Sequence, residues 1–124
     1  MPSAPLLDGP FLLPAAPSEP DLLAKYFKVL ADATRVRILE LLADGAEMSV
    51  SELMAELGQA QSRVSNHLAC LRWCGFVQTR RAHRTVYYRV ADDRVLEVLT
   101  LGRALLADNA EHVAVCRRVG GGGC

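Results

Sequence analysis

The segment from Ser62 to Cys74, which a glycine follows, constrains the fold of this chain more than any other. Val64, Leu68 and Leu71 recur at the i, i+4, i+7 spacing of a helix face that packs on a core. The other side chains then face outward, and they are polar or basic at the start and include two cysteines near the end. Because the serine is a suitable N-cap and the glycine a suitable stop, the segment predicts one helix with both ends marked.

A shorter helix lies immediately before this one. Ser49 and Glu52 have the spacing of a capping box, which predicts a helix over 51–57 that ends at Gly58. Only three residues then connect it to the next helix. Two helices joined so closely, with exposed polar side chains on the second, are typical of a helix-turn-helix.

The periodicity of the sequence changes from 3.6 to 2 after Gly75. Residues 76–79 and 85–90 are rich in β-forming side chains, and they flank a basic stretch over 80–84. This pattern predicts a β-hairpin with a basic tip.

A long apolar helix is predicted from Asp92 to about Val115. Its leucines and valines offer more hydrophobic surface than one short chain can cover, which favours a dimer interface. The predicted fold class is therefore mainly α with a β-hairpin (α+β), a homodimeric winged helix-turn-helix.

The N-terminal part of the chain predicts an arm followed by two helices. All six prolines lie within residues 1–20, which we interpret as a flexible or extended Pro-rich arm. Asp21 is a suitable cap for a first helix, and a second helix is predicted over 33–43. We therefore divide the chain into the arm, a DNA-binding and dimerisation domain over 21–115, and a flexible tail over 116–124.

The charge of the chain is unevenly distributed although its net value is zero. Six arginines and no Asp or Glu lie between Leu57 and Ala91, while the rest of the chain has a net charge of minus six. A basic face of this kind suits phosphate contact, and a merely solvated surface is the alternative. With no basic leader and no apolar run of membrane-spanning length, we expect a cytoplasmic protein without a membrane partner.

Four cysteines in a chain without a secretory signal favour reduced thiols over disulfides. Cys70 and Cys74 are one helical turn apart, so their sulfurs can converge on one large soft ion. A third thiolate must come from elsewhere, and Cys116 is the best candidate, with Cys124 as a possible additional ligand. A disulfide between the first two cysteines is the redox alternative, although spanning a helical turn strains the bond.

Two motifs of the chain resemble a known family. Residues 30–39, Leu-Ala-Asp-Ala-Thr-Arg-Val-Arg-Ile-Leu, are similar to the family's second-helix signature. Residues 62–71, followed by Gly-Phe-Val over 75–77, are similar to its recognition helix and the entry to its wing. The family is the ArsR/SmtB metal-sensing repressors, and the resemblance covers about residues 21–115. It implies a homodimeric winged-helix repressor that leaves operator DNA when it binds an inducer.

The ligand pattern distinguishes branches of this family. The thiols of the third-helix type of site are absent, since residues 50–53 are Val-Ser-Glu-Leu, and the last-helix zinc site keeps only Asp108 and His112. The remaining cysteines resemble those of the cadmium- and lead-sensing CmtR-type branch. That resemblance implies that Cys70, Cys74 and a thiolate from the partner's C-terminal region, Cys116 here, bind Cd(II) or Pb(II).

The interpretation as a winged helix also predicts which residues contact DNA. The contacts expected on the helix are Gln61, Ser62, Arg63, Ser65, Asn66 and His67, and those expected on the hairpin are Arg80, Arg81 and Arg84. Two alternatives of the same fold stay open, a repressor that senses As(III) or Sb(III) and a thiol redox sensor. Because no catalytic set or phosphate loop is recognisable, we expect neither an enzyme nor a small-molecule substrate.

Overall fold

The computed structural model describes residues 16–116 of the chain. Within them the elements are α1 (Glu19–Leu30), α2 (Ala33–Leu41), β1 (Met48–Ser49), α3 (Val50–Leu57), α4 (Gln61–Trp73), β2 (Val77–Ala82), β3 (Thr85–Val90) and α5 (Asp93–Val115). This is the order of a winged helix-turn-helix, with α3 and α4 as the helix pair and β2 and β3 as the wing, so the predicted mainly α, winged helix-turn-helix fold is confirmed.

The core lies where α2, α3 and α4 meet the base of the wing. The predicted apolar face of α4 is confirmed, because Val64, Leu68 and Leu71 are completely buried. The other large side chains buried to the same degree are Ile38, Leu39, Leu42, Leu53 and Phe76. Each contributes about 1.5–3 kcal/mol from the apolar surface it removes from water, and together they fix the orientation of α4.

The structure confirms the cap predicted for α3 but not the cap predicted for α4. The hydroxyl of Ser49 accepts from the backbone N–H of Glu52 at 3.2 Å, and the Glu52 carboxylate accepts from the Ser49 N–H at 2.9 Å, so the capping box is confirmed. For α4 the N-cap is Ala60, and Ser62 lies inside the first turn. The prediction of Ser62 as the cap is wrong: the helix starts two residues earlier, and its N-cap alanine has no side-chain oxygen to accept from the N–H groups of the first turn.

Helix α1 also begins earlier than the sequence pattern predicted. The hydroxyl of Ser18 accepts from the N–H of Asp21, and the Asp21 carboxylate accepts from the N–H of Ser18, each at 3.2 Å. Ser18 is therefore the cap, and Pro20 lies in the first turn, where its missing N–H has no helical partner to lose. The predictions that Asp21 caps this helix and that all prolines precede it are wrong. The rest of the predicted arm, residues 1–15, lies outside the described residues.

The wing belongs to a three-stranded antiparallel sheet in the order β1-β3-β2. Strand β2 pairs with β3 from Val77 opposite Val90 to Ala82 opposite Thr85, so the predicted hairpin is confirmed. Strand β1, only two residues long, pairs Met48 with Tyr88. It was not predicted because two residues leave no periodic signal, and it joins the start of α3 to the wing.

Helices α1 and α5 present apolar side chains to solvent. Helix α5 begins after Asp92 and ends at Val115, as predicted, but Val95 is its only buried residue. The exposed apolar side chains of the two helices are Leu22, Leu23, Tyr26, Phe27, Val98, Leu101, Leu105, Leu106, Val113 and Val115. Across residues 16–116, no helix combines the length and the apolar character needed to cross a membrane.

Candidate functional site

The first half of α4 presents a polar surface without acidic residues. Gln61, Ser62, Arg63 and Asn66 are exposed, and Ser65 is half-buried, so the predicted outward orientation of this group is what the structure has. The buried face of the helix holds the backbone rigidly behind them. Short polar and basic side chains at the start of a helix can donate to phosphates and to base edges in a major groove.

His67 differs from the other predicted DNA contacts on this helix. Its Nδ1 accepts a hydrogen bond from Nε of Arg35 at 3.1 Å and lies 3.9 Å from Oδ1 of Asp32. Its side chain is only 15% exposed. Because Nδ1 accepts, the ring proton lies on Nε2, and the imidazole joins α4 to the start of α2.

The three arginines predicted on the wing fall into two groups. Arg81 and Arg84 are exposed at the turn of the hairpin, beside His83, whose φ is 58°. Arg80 instead pairs with Glu47, with Nη2 2.7 Å from Oε1, and its guanidinium lies 5.4 Å from the ring centroid of Tyr87. The hydrogen bond from Arg80 lowers the pKa of Glu47. Only the first group is free of ion pairs among the described residues.

Cys70 and Cys74 lie together at the edge of the core. They are half-buried and pack against the core cluster, so the prediction that they share the exposed stripe of α4 is only partly correct. The reason is that α1 covers this end of α4. Its side chains form a groove of about 470 Å³ around the thiols, and the groove is lined by Leu22, Lys25, Tyr26, Val29, Cys70, Trp73 and Cys74.

The protonation of these thiols follows from their surroundings. Burial raises the pKa of Cys74, and the neighbouring Cys70 thiol raises it further. The positive charges of Arg35 and Lys25 act in the opposite direction but do not prevail. Cys74 therefore rests as a neutral thiol, and an ion that binds there must displace its proton.

Cys116 lies apart from this pair. It is the half-buried C-cap of α5, and its N–H donates to the carbonyl of His112 at 3.0 Å. Within residues 16–116 of one chain, no three His, Cys, Asp or Glu side chains are grouped so that they can hold a metal ion. One protomer thus brings together two of the three predicted metal ligands, and Cys124 lies outside the described residues.

Sequence reasoning missed the side chains that surround the predicted site. Arg35 and Glu47 each contact a predicted site residue more than thirty positions away along the chain. No local periodicity can reveal such a pair. The only signal was that Arg35 lies within the second-helix motif, which marks the position as constrained without saying what it contacts.

A helix-turn-helix with a polar outer face and a basic wing defines a winged-helix DNA-binding protein. A family model described as bacterial regulatory protein, arsR family, matches residues 32–79. That range contains α2, α3, α4 and the start of the wing, so it covers the elements described above.

Known relatives extend this match along the chain. The probable mercury resistance operon repressor of Streptomyces lividans is 39% identical over 97% of this chain and 96% of its own length. The HTH-type transcriptional regulator CmtR of Mycobacterium tuberculosis is 41% identical over 81% of this chain and 85% of its own. A solution structure described as a homodimeric winged helix-turn-helix DNA-binding domain from Mycobacterium bovis has a TM-score of 0.66 and 31% identity, and the match covers 80% of this chain and 95% of that one. The chain belongs to the ArsR family of metal-sensing regulators, and it is a DNA-binding transcription regulator rather than an enzyme.

Proposed function

We propose that this chain is a homodimeric repressor that holds operator DNA when metal-free and releases it on binding Cd(II) or Pb(II). The ligands are Cys70 and Cys74 of one protomer and Cys116 of the other. The observation that carries the proposal is a pair of half-buried thiols, one helical turn apart, at the end of the same helix that presents the proposed DNA-binding side chains. An ion bound there acts directly on the orientation of that helix.

The thiol pair suits a large soft cation. Thiolates are preferred by soft ions, and two sulfurs one helical turn apart can grip one ion with little movement of the backbone. Because both thiols must lose protons, binding releases protons and strengthens as the pH rises. The third thiolate completes a trigonal set for Cd(II) or Pb(II).

The exposed faces of α1 and α5 support a dimer. Their apolar side chains form a surface of the kind that monomers seldom leave in contact with water. Two copies related by a twofold axis would cover these faces reciprocally. Since Cys116 ends α5 and no three-ligand group exists within residues 16–116 of one chain, a site shared between protomers accounts for all three cysteines.

DNA binding would use α4 and the wing together. We assign base and phosphate contacts to the polar half of α4, phosphate contacts to Arg81 and Arg84, and a contact from Arg80 only after it leaves Glu47. His67 contributes through Nε2, since Nδ1 is already occupied. Contacts of this kind make the affinity for DNA fall steeply as salt rises.

Hg(II) is the second candidate inducer, favoured by the similarity to the mercury resistance repressor over 97% of the chain. Two thiolates satisfy Hg(II), so Cys70 and Cys74 alone would suffice. As(III) and Sb(III) need three thiolates, as Cd(II) and Pb(II) do. A redox sensor would instead release DNA when an oxidant joins Cys70 and Cys74.

The test is an anaerobic titration of the reduced dimer with each ion, followed by ultraviolet thiolate-to-metal charge-transfer absorption. Release is measured on a fluorescent operator duplex recovered from a randomised pool by selection with the metal-free protein. Cys70→Ser should bind this duplex normally but keep it when the ion is added. Cys116→Ser should weaken the Cd(II) and Pb(II) bands and leave Hg(II) binding largely intact, with Cys124→Ser as the matched control.

Each result separates the alternatives. A Cd(II) band unchanged in Cys116→Ser would remove that residue from the site. Release by oxidant without any ion would support the redox sensor instead. Loss of DNA binding in a folded Cys70→Ser protein would contradict the division of α4 into a DNA-reading half and a metal-binding half.

A further inference from the structure

The guanidinium of Arg35 lies between the first half of α4, which carries the proposed DNA contacts and is called here the DNA-reading half, and the end of the helix with the proposed metal ligands. Its Nε donates to Nδ1 of His67 at 3.1 Å, at the end of the DNA-reading half. Its Nη1 donates to the carbonyl of Val29 at 3.2 Å, and Val29 lines the groove that contains Cys70 and Cys74. One side chain therefore contacts both the wall of the thiol groove and the helix that reads DNA.

The hydrogen bond between Arg35 and His67 is well sheltered. The backbone N–H of Arg35 donates to Oδ1 of Asp32 at 3.1 Å, which anchors the residue in the first turn of α2. The imidazole is mostly buried, and both partners are part-buried. Because such bonds exchange poorly with water, the orientation of the ring is set by α2 rather than by solvent.

We propose that Arg35 is the positioning residue that transmits ion binding at Cys70 and Cys74 to the DNA-reading half of α4. The inference rests on the proposed function, since it requires an ion at these thiols. In the metal-free state Arg35 holds His67 in the orientation suited to DNA. In the ion-bound state the guanidinium moves toward the thiolates and gives up this hydrogen bond.

The charge change at the thiols provides the driving force. Two protons leave Cys70 and Cys74 when a divalent ion binds, and a third thiolate brings the cluster of ion and sulfurs to a net charge of minus one. A cation nearby is drawn to an anionic cluster, most strongly where water is scarce. The charge of Arg35 already acts on Cys74 in the metal-free protein, so the guanidinium is within electrostatic reach.

Lys25 provides the matched control. Its charge also acts on Cys74, and it lines the same groove. Lys25 is exposed on α1, however, and among the described residues it makes no hydrogen bond to α4. Removing its charge changes the electrostatics of the thiols without breaking a connection to His67.

The experiment compares the full-length wild type with Arg35→Gln, Arg35→Lys and Lys25→Gln. For each, Cd(II) binding is followed by charge-transfer absorption, and affinity for the operator duplex is measured by fluorescence anisotropy with and without Cd(II). The decisive quantity is the ratio of the two DNA affinities. Allosteric couplings commonly correspond to ratios of about 5 to 150.

We expect wild type and Lys25→Gln to show a ratio in this range. Arg35→Gln should still bind one Cd(II) per protomer, but its ratio should fall below about three. Arg35→Lys keeps the positive charge but cannot make both hydrogen bonds of the guanidinium, so its ratio of DNA affinities should fall as well. This variant tests the proposal if Arg35→Gln does not fold. In ¹⁵N spectra of the imidazole, Cd(II) should shift Nδ1 of His67 in wild type and not in Arg35→Gln, a signature that a merely structural role would not produce.

Two failures are distinguishable. A wild-type protein that binds no ion, or that keeps its DNA when loaded, would overturn the proposed function and this inference with it. A wild-type ratio retained in Arg35→Gln or Arg35→Lys would overturn the role of Arg35 alone. If the ratio of DNA affinities fell as far in Lys25→Gln as in Arg35→Gln, the positive charge near the thiols would matter and the hydrogen bond to His67 would not.

Discussion

Helices α4 and α5 bury their apolar residues in different ways. Helix α4 is 13 residues long and buries Val64, Leu68 and Leu71 completely within its own chain. Helix α5 is 23 residues long and buries only Val95, while Leu101 remains 64% exposed. The longer and more apolar helix is thus the one its own chain covers least.

This difference separates what one chain determines from what an assembly must supply. The orientation of α4 follows from contacts with α2, α3 and the wing, so one protomer already holds the proposed DNA-binding surface in place. The outer face of α5 lacks a partner within residues 16–116, although Arg103 pairs with Glu40 of α2 at 2.8 Å. In the proposed dimer, the spacing of the two α4 helices is therefore expected to depend on α1 and α5.

The largest effect is expected from Leu68→Ala in the centre of α4. Removing a completely buried leucine side chain should lower the free energy of unfolding by about 2–5 kcal/mol through lost burial and a residual cavity. Urea unfolding at one fixed protein concentration measures it, since a dimer's stability depends on concentration. Trp73→Ala on the same helix is the control: that side chain is 91% exposed, and its loss should change stability by less than about 0.5 kcal/mol. Similar costs for the two variants would show that Trp73 is covered in the assembly and would weaken the contrast.

The sequence was most informative where spacing reports burial. The stripe of Val64, Leu68 and Leu71 predicted which face of α4 points inward, because residues at this spacing share one side of a helix. The start of α4 was not predictable in the same way, since Ala60 offers no side-chain signal as an N-cap. Burial and spacing are properties of many residues, whereas a cap is a property of one.

The contacts of the candidate site were less predictable than its members. The pairing of Cys70 with Cys74 follows from helical geometry, since residues four apart share a face. The ties from Arg35 to His67 and from Glu47 to Arg80 join residues 32 and 33 positions apart. Such contacts depend on how elements pack, and no pattern within one element reports them.

An intermediate effect is expected from Leu105→Glu on the outer face of α5. Because this side chain is 62% exposed, a charge there should change the stability of one protomer little. It should disfavour an apolar dimer interface, in which the twofold axis places the charge once on each protomer. We expect the dimer dissociation constant to rise by about tenfold to a hundredfold, equivalent to about 1.4–2.8 kcal/mol. Sedimentation velocity over a range of concentrations measures it. Ala107→Glu places the same charge about 200° around the helix and should leave the dimer intact; equal dissociation in both variants would argue against an interface on the predicted face.

The smallest effect concerns the first turn of α5, the part of this helix that its own chain anchors. The Asp92 carboxylate caps the helix by accepting from the N–H of Arg94 at 2.9 Å and pairs with its guanidinium at 2.7 Å, and these hydrogen bonds lower the pKa of Asp92 to about 2. A depressed carboxyl pKa adds stability that is fully present above the unfolded value near 3.8 and is lost as the pH falls through about 2. Asp92→Asn keeps a capping oxygen but cannot titrate, so its unfolding midpoint should fall less steeply than that of wild type between about pH 4 and 2.

The size of this difference is limited by solvent, because both partners of the ion pair are substantially exposed and salt screens them. Thermal unfolding of wild type and Asp92→Asn at low ionic strength, in steps of pH, measures it. Asp93→Asn is the control, since Asp93 lies in the same turn and makes no side-chain hydrogen bond among the described residues. Parallel pH profiles for wild type and Asp92→Asn would mean that the cap does not anchor α5. The start of α5 would then depend on the partner protomer, as the exposed outer face of the helix does. In that case the whole of α5, unlike α4, would lack an anchor within its own chain.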